Sequence, residues 1–230
     1  MKKIKNLLNY FSKRELILWF CSVLFITIFF CVFDRESYLT LAASIVGATA
    51  LIFNAKGNPM GPFLLIVFSI LYGIISFGFA YYGEMITFLG MSAPMSLFSL
   101  ISWLKNPYSK GKVEVRVNRL KKKEIIFIFV LTLFMTVAFY FILKAFNTAN
   151  LIMSTLSVST SFFAVCLTFR RSVFFPLAYA VNDVVLIIMW IMAAITDISY
   201  VSVIVCFIVF LINDMNGFFS WLRMQKRQEN

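Results

Sequence analysis

The fold is decided most clearly by residues 124–146, which read EIIFIFVLTLFMTVAFYFILKAF. A helix needs about 20 predominantly apolar residues to cross the hydrocarbon core of a bilayer, and this stretch carries only two charged residues. The whole chain of 230 residues is 61% hydrophobic and 13% charged, whereas a soluble domain is about 45–50% apolar and about 25% charged. The sequence therefore predicts an all-α membrane protein whose main partner is the lipid bilayer.

Eight segments have the length and composition of membrane-spanning helices. They cover residues 16–33, 38–55, 62–82, 84–104, 124–146, 150–169, 173–195 and 199–222. The first is followed by Asp34-Arg35-Glu36 without a small-residue cleavage site, so it is predicted as a helix and not as a signal peptide.

Basic residues are distributed very unevenly between the loops. With eight spans, 19 of the 21 Lys and Arg residues lie on the side of the two termini, and only Arg35 and Lys144 lie on the other. The positive-inside rule then predicts a protein of the cell membrane with both termini in the cytoplasm. Because the net charge of +11 is spread over short loops between apolar runs, no nucleic-acid partner is predicted.

An internal repeat divides the chain. Pro62 opens the third span, and Ser102-Trp103 ends the fourth, with 41 residues from Pro62 to Trp103. In the same way Pro176 opens the seventh span, and Ser220-Trp221 ends the eighth, with 45 residues from Pro176 to Trp221. One span (124–146) lies between the two three-helix units, so both units have the same orientation in the membrane and the repeats are parallel. The predicted units are an N-terminal segment with an extra helix (1–37), the first three-helix repeat (38–104), a basic loop and linker helix (105–149), the second repeat (150–222) and a tail (223–230). Trp103 and Trp221 are predicted as interfacial belt residues.

Polar side chains inside spans are expensive, and they are therefore candidates for function. The seventh span carries Asn182-Asp183 and the eighth carries Asn213-Asp214, each pair in one helical stripe with aromatic residues. Amides and carboxylates bind hydroxyl groups, while aromatic rings stack on a heterocycle. The predicted substrate-binding residues in these spans and the third are Tyr72, Tyr179, Asn182, Asp183, Trp190, Asn213 and Asp214.

A structural role is the alternative for these residues, because Asn and Asp also join helices by hydrogen bonds. Asp214 could equally face a wet vestibule near the cytoplasmic end. Glu84 is predicted as a solvated loop charge, with a gate at the outer mouth as the alternative. Pro94 inside the fourth span removes one helical hydrogen bond, as is common where helices line a path.

Several kinds of chemistry are absent from the sequence. There is no histidine, the four cysteines lie in apolar runs without a CxxC spacing, and no nucleophile and base converge. We therefore predict no enzyme, no catalytic residue, no metal site and no cofactor. No GxxxxGK[ST] loop is present. Passive movement of a solute is favoured over proton coupling, because the acids have no histidine or basic partner at depth.

Three motifs in order resemble the PnuC family over residues 40–225. The end motif FLINDMNGFFSW covers 210–221, Asn182 to Trp190 is similar to the preceding helix, and Tyr82-Gly83-Glu84 leads to Trp103. The resemblance implies a fold like that of SWEET sugar transporters, facilitated diffusion, and trapping of a nucleoside-like substrate by a cytoplasmic kinase. It also implies that a homotrimer can form.

The family's substrates include nicotinamide riboside, with relatives that carry thiamine, riboflavin or deoxynucleosides. Its nicotinamide riboside members carry a Trp-x-x-x-Asn motif. If Asn182 is that asparagine, Ala178 stands at the tryptophan position. The predicted function is uptake of nicotinamide riboside or a related nucleoside or vitamin, with Trp190 or Tyr200 as the stacking residue. A deoxynucleoside or thiamine transporter and a membrane scaffold are the alternatives.

Overall fold

The computed structural model describes residues 10–78, 82–109, 111, 113–148 and 150–230. These residues form eight helices that are long and apolar enough to cross a membrane, and they contain no strand. The helices are α1 (Lys13–Phe33), α2 (Tyr38–Ala55), α3 (Met60–Gly78), α4 (Tyr82–Thr87, the π-helical Phe88–Ser92 and Ala93–Lys105 in succession), α5 (Lys122–Ala145), α6 (Leu151–Phe169), α7 (Phe175–Ala194) and α8 (Val201–Glu229). The predicted eight-helix, all-α fold is confirmed.

Two helix ends differ from the prediction. Helix α8 continues to Glu229, past the predicted end at 222, because the polar residues that follow Trp221 are mostly good helix formers. Helix α3 is described to Gly78; residues 79–81, next to its predicted end at 82, lie outside the described part of the chain, and Tyr82 already belongs to α4. The π-helical turn lies immediately before Pro94, where the missing N–H interrupts the regular ladder.

Six of the helices form a closed ring. Helices α2, α3 and α4 pack in chain order, as do α6, α7 and α8. The ring closes because α4 also packs on α6 and α8 also packs on α2. Outside it, α1 lies against α2 and α8, while α5 lies against α6.

The two repeats hold each other at the end of the ring where α1 begins and α8 ends, which we call the terminal end. The Trp103 indole N–H donates to the carbonyl of Thr168 (2.9 Å), next to a bond from Ser102 Oγ to Phe169 (2.8 Å). In the other half, Trp221 and Ser220 donate in the same way to Asn54 (2.7 Å) and Ala55 (2.8 Å). Each Ser-Trp pair thus donates to two carbonyls in the last turn of a helix in the opposite repeat.

Trp103 and Trp221 are therefore core residues, and the belt prediction was wrong. Their exposed fractions are 1% and 0%, and their rings lie 5.4 Å apart between centroids. Phe175 packs edge-on to Trp221 at 4.7 Å. The indole N–H groups bond to backbone carbonyls and not to headgroups, so the rings fill the centre of the terminal end.

The basic loop 106–120 crosses the same end. Its Val115 N–H donates to the carbonyl of Gly57 (2.9 Å), and its Asn118 N–H donates to that of Arg171 (3.0 Å). Gly57 and Arg171 follow α2 and α6 in left-handed backbone conformations, with φ of 62° and 56°. The loop therefore binds the same turn in both repeats.

Candidate solute-binding cavity

A central cavity lies inside the helix ring and is lined by both repeats. Its volume is about 90 Å³, smaller than the roughly 300–1,000 Å³ typical of ligand pockets. The cavity lies between the aromatic cluster of the terminal end and a larger vestibule at the opposite end. Tyr179, one of its lining residues, contacts Phe175 of that cluster edge-on at 6.3 Å.

Asn182 is held in place by α6. Its side-chain oxygen accepts hydrogen bonds from Thr160 Oγ1 (2.7 Å) and Ser161 Oγ (3.0 Å). The side chain is buried and lines the cavity. Because the oxygen is already engaged, the NH₂ group is the part that remains to donate to a bound solute.

Asp183 and Asp214 bring two carboxyl groups to the cavity wall. Both side chains are buried, both line the cavity, and they lie within hydrogen-bonding reach of each other. Asp183 Oδ2 makes no hydrogen bond. A buried acceptor without a partner is costly, so this oxygen is a position where a donor or a cation would be stabilised.

Three predicted aromatic residues also line the cavity, namely Tyr72, Tyr179 and Trp190. Tyr72 packs against Phe68 (5.4 Å) and Phe88 (4.7 Å). Their rings offer flat apolar surfaces beside the acids, which suits a planar heterocycle.

A vestibule of about 690 Å³ opens at the end opposite the terminal end. Its walls include Asp34 and Glu36 after α1 and Asp197 after α7. Tyr200 lies here and not in the central cavity, although its ring contacts that of Trp190 at 5.2 Å. The structure thus places Tyr200 in the vestibule, next to the central cavity that most of the other predicted residues line.

Asn213 is separated from the cavity altogether. Its amide donates to Ser22 Oγ of α1 (2.9 Å) and to the carbonyl of Val209 (2.8 Å), and it is not among the described lining residues. Its predicted place in the binding site is therefore corrected: the observed contacts join α8 to α1.

Of the residues that the first repeat supplies to the site, sequence analysis predicted only Tyr72. Phe68 and Ser69 line the cavity 114 positions before Asn182 and Asp183, the same offset that separates Pro62 from Pro176. Ser96 lines it 118 positions before Asp214, the offset between the two Ser-Trp pairs. The repeat spacing would have identified these positions.

Glu84 was also misplaced. It lies in the first turn of α4, is half-buried, and lines both the central cavity and the vestibule. The prediction of a solvated loop charge was wrong. Helix α4 already begins at Tyr82, so Glu84 belongs to the helix and lies inside the ring, not in a solvated loop.

The cavity combines carboxylates, an amide, hydroxyls and aromatic rings, and none of its described lining residues is Lys or Arg. Across the described chain, no group of three or more His, Cys, Asp or Glu side chains could hold a metal ion. A ring of membrane-spanning helices around a central cavity with buried polar side chains in its wall is the architecture expected of a multi-pass carrier of a small solute.

The chain belongs to the nicotinamide mononucleotide transporter family, whose model matches residues 37–223. The protein is therefore a membrane transporter and not an enzyme, and the resemblance to the PnuC family is confirmed. The fold is similar to a crystal structure of the vitamin B3 transporter PnuC, with a TM-score of 0.81 and 20% sequence identity. That similarity covers 95% of this chain and 94% of the other. No curated protein matches the chain significantly.

Proposed function

We propose that this protein carries a dephosphorylated nicotinamide nucleoside, with nicotinamide riboside as the type, across the cell membrane by facilitated diffusion. One observation carries the proposal: Glu84, Asp183 and Asp214 bring three carboxyl groups to a cavity without a described Lys or Arg. A pyridinium ring is a permanent cation and its ribose offers hydroxyls, so both parts find partners there. A phosphate group would meet repulsion, because phosphate sites use Arg, Lys or clustered backbone N–H groups.

The same residues support the proposal of passive movement. The two buried acids of the cavity have no basic partner at depth among its described lining, and the sequence has no nucleotide-hydrolysis loop. Net uptake then requires that the product be removed, and a cytoplasmic kinase that phosphorylates the nucleoside would do so. With the termini in the cytoplasm, as the basic residues favour, the vestibule faces the outside.

The proposal is tested with purified protein in liposomes that contain a nicotinamide riboside kinase and ATP. We expect labelled nicotinamide riboside to accumulate only with kinase and ATP inside, and a protonophore to leave the initial rate unchanged. Accumulation driven by an imposed proton gradient without the kinase would contradict passive transport. Preference for the mononucleotide over the riboside would contradict the assignment of a dephosphorylated substrate.

Thiamine is the second candidate, because its thiazolium ring is also a cation next to an aromatic system. Ala178 supports this second candidate, because it stands where nicotinamide riboside members of the family carry a tryptophan. It packs against the buried cluster of the terminal end and does not line the cavity. A thermal-shift series with nicotinamide riboside, thiamine and thymidine ranks the candidates by stabilisation. No stabilisation by any of the three would favour the scaffold alternative.

A homotrimer remains a prediction, which the mass of the detergent-solubilised protein tests.

A further inference from the structure

Glu84 lies at the neck between the vestibule and the central cavity. It lines both spaces, and so does Trp190. The same two residues also line a small lateral cavity beside Ser154 and Met189. A solute that passes from the vestibule into the central cavity therefore passes the Glu84 carboxylate and the Trp190 ring.

The carboxylate of Glu84 is not neutralised by a basic side chain. None of the four ion pairs in the described residues includes it. The only basic residue among the described lining of the two spaces is Arg35 in the vestibule, whose Nε donates to the carbonyl of Cys31 at 2.7 Å. When it is ionised, Glu84 therefore places its charge directly at the neck, where nearby protein lowers the effective dielectric and strengthens its attraction for a cation.

Close packing fixes the position of Glu84. A Cβ on the preceding Gly83 would lie 2.2 Å from Thr148 Oγ1 and 2.6 Å from Leu143 Cδ2. The first turn of α4 is thus pressed against the end of α5 and the connection that follows it. One turn later, Thr87 Oγ1 donates to the carbonyl of Gly83 (2.9 Å), so Glu84 stands on a rigid support.

We propose that Glu84 selects solutes by charge at this neck and favours a cationic ring that stacks on Trp190. An acidic group at a narrow entrance raises the local concentration of cations and repels anions. The ring face of Trp190 adds attraction for the same charge. This inference rests on the proposed function, because it assigns the selection step of the same transport path.

The test compares two solutes that differ in charge but hardly in shape. They are nicotinamide riboside, a cation, and its dihydropyridine form, which is neutral. Initial uptake rates into liposomes without kinase give Vmax/KM for each. We expect the wild-type protein to favour the cation, and Glu84→Gln to lower Vmax/KM for the cation at least tenfold while changing the neutral form less than twofold. Glu84→Asp keeps the charge and should keep the preference.

Glu36→Gln is the matched control, since Glu36 lies in the vestibule but not at the neck. We expect it to leave the preference within twofold of wild type. An equal loss for both solutes in Glu84→Gln would overturn the inference, and so would an unchanged preference. A wild-type protein that does not favour the cation would overturn it without any variant, even if a variant failed to fold. Transport of neither solute by the wild-type protein would instead overturn the proposed function.

Discussion

Asn182 and Asn213 carry the same amide at similar depth on neighbouring helices, but their contacts differ. The oxygen of Asn182 is held by two α6 hydroxyls at the cavity wall. The NH₂ group of Asn213 reaches outwards to Ser22 on α1. Sequence analysis weighed solute binding against helix association for both residues; the structure shows interhelical hydrogen bonds for both, and only Asn182 also lines the cavity. The sequence does not show which helix packs against each asparagine, so it could not distinguish the two residues.

The paired variants Asn182→Ala and Asn213→Ala test this difference. Removing the Asn182 amide deletes the hydrogen bond that we propose it donates to the solute and leaves two α6 hydroxyls to rearrange, so we expect Vmax/KM for nicotinamide riboside to fall at least tenfold. Removing the Asn213 amide should leave Vmax/KM within about twofold. It should lower the free energy of unfolding, since a net hydrogen bond contributes about 0.5–1.5 kcal/mol. Liposome uptake and thermal melting measure the two effects.

The outcome that contradicts this assignment is a reversal, in which Asn213→Ala loses transport at wild-type stability. Ser22→Ala provides the control, because it removes the α1 partner of Asn213 without touching the cavity. We expect Ser22→Ala to resemble Asn213→Ala in both measurements.

At the scale of helices, hydrophobic runs predicted each span to within a few residues, apart from the end of α8. Hydropathy reports where a helix leaves the membrane, and α8 leaves it without unwinding. Packing between helices was less accessible from sequence. Helices α2 and α3 approach closely at Gly61, where a Cβ would lie 2.0 Å from Asn54 Oδ1 and 2.8 Å from the Asn54 backbone nitrogen. Nothing local in the sequence marks this glycine as different from the others.

Gly61→Ala tests the close approach of α2 and α3. The added methyl group meets backbone as well as side chain, so the helices must separate, and overpacking of this kind costs about 1–3 kcal/mol. We expect a lower melting temperature, measured on the detergent-solubilised protein. Gly90→Ala is the matched control, because the nearest atom to its Cβ would be Ile86 Cγ2 at 3.8 Å. Equal melting temperatures for the two variants would contradict the predicted crowding at Gly61.

At the scale of the whole molecule, the ring closes through contacts between the repeats. The sequence predicted parallel repeats and the polar residues of the second one. The pairing of α4 with α6 and of α8 with α2 was not predicted, because every span has apolar residues on more than one face. For the same reason the first repeat's share of the cavity was overlooked apart from Tyr72, since Phe68, Ser69 and Ser96 are ordinary membrane residues until their positions opposite Asn182, Asp183 and Asp214 are known.

Long-range contacts also hold the basic loop against the end of α8. Gln228 accepts from the Val117 N–H (2.8 Å) and donates to Glu114 Oε1 (2.8 Å) and the Val115 carbonyl (3.0 Å). Gln228→Ala removes all three bonds, so we expect the loop to open more often and its many Lys and Arg sites to be cut several times faster by trypsin. Gln225→Ala is the control, since Gln225 lies in the same helix and its side chain makes no hydrogen bond to the described residues. Equal cleavage rates for the two variants would show that Gln228 does not secure the loop.

The unlike halves of the central cavity have a consequence for the geometry of the bound molecule. If both repeats presented the same side chains, a guest without symmetry would fit equally well in two poses related by a half-turn. Here the carboxyl groups of Asp183 and Asp214 face Ser69, Ser96 and the ring of Phe68 across the axis. The half-turn would exchange acceptors for hydroxyls and a hydrocarbon surface, so one pose is favoured. A duplicated architecture thereby holds a chiral guest in a single orientation.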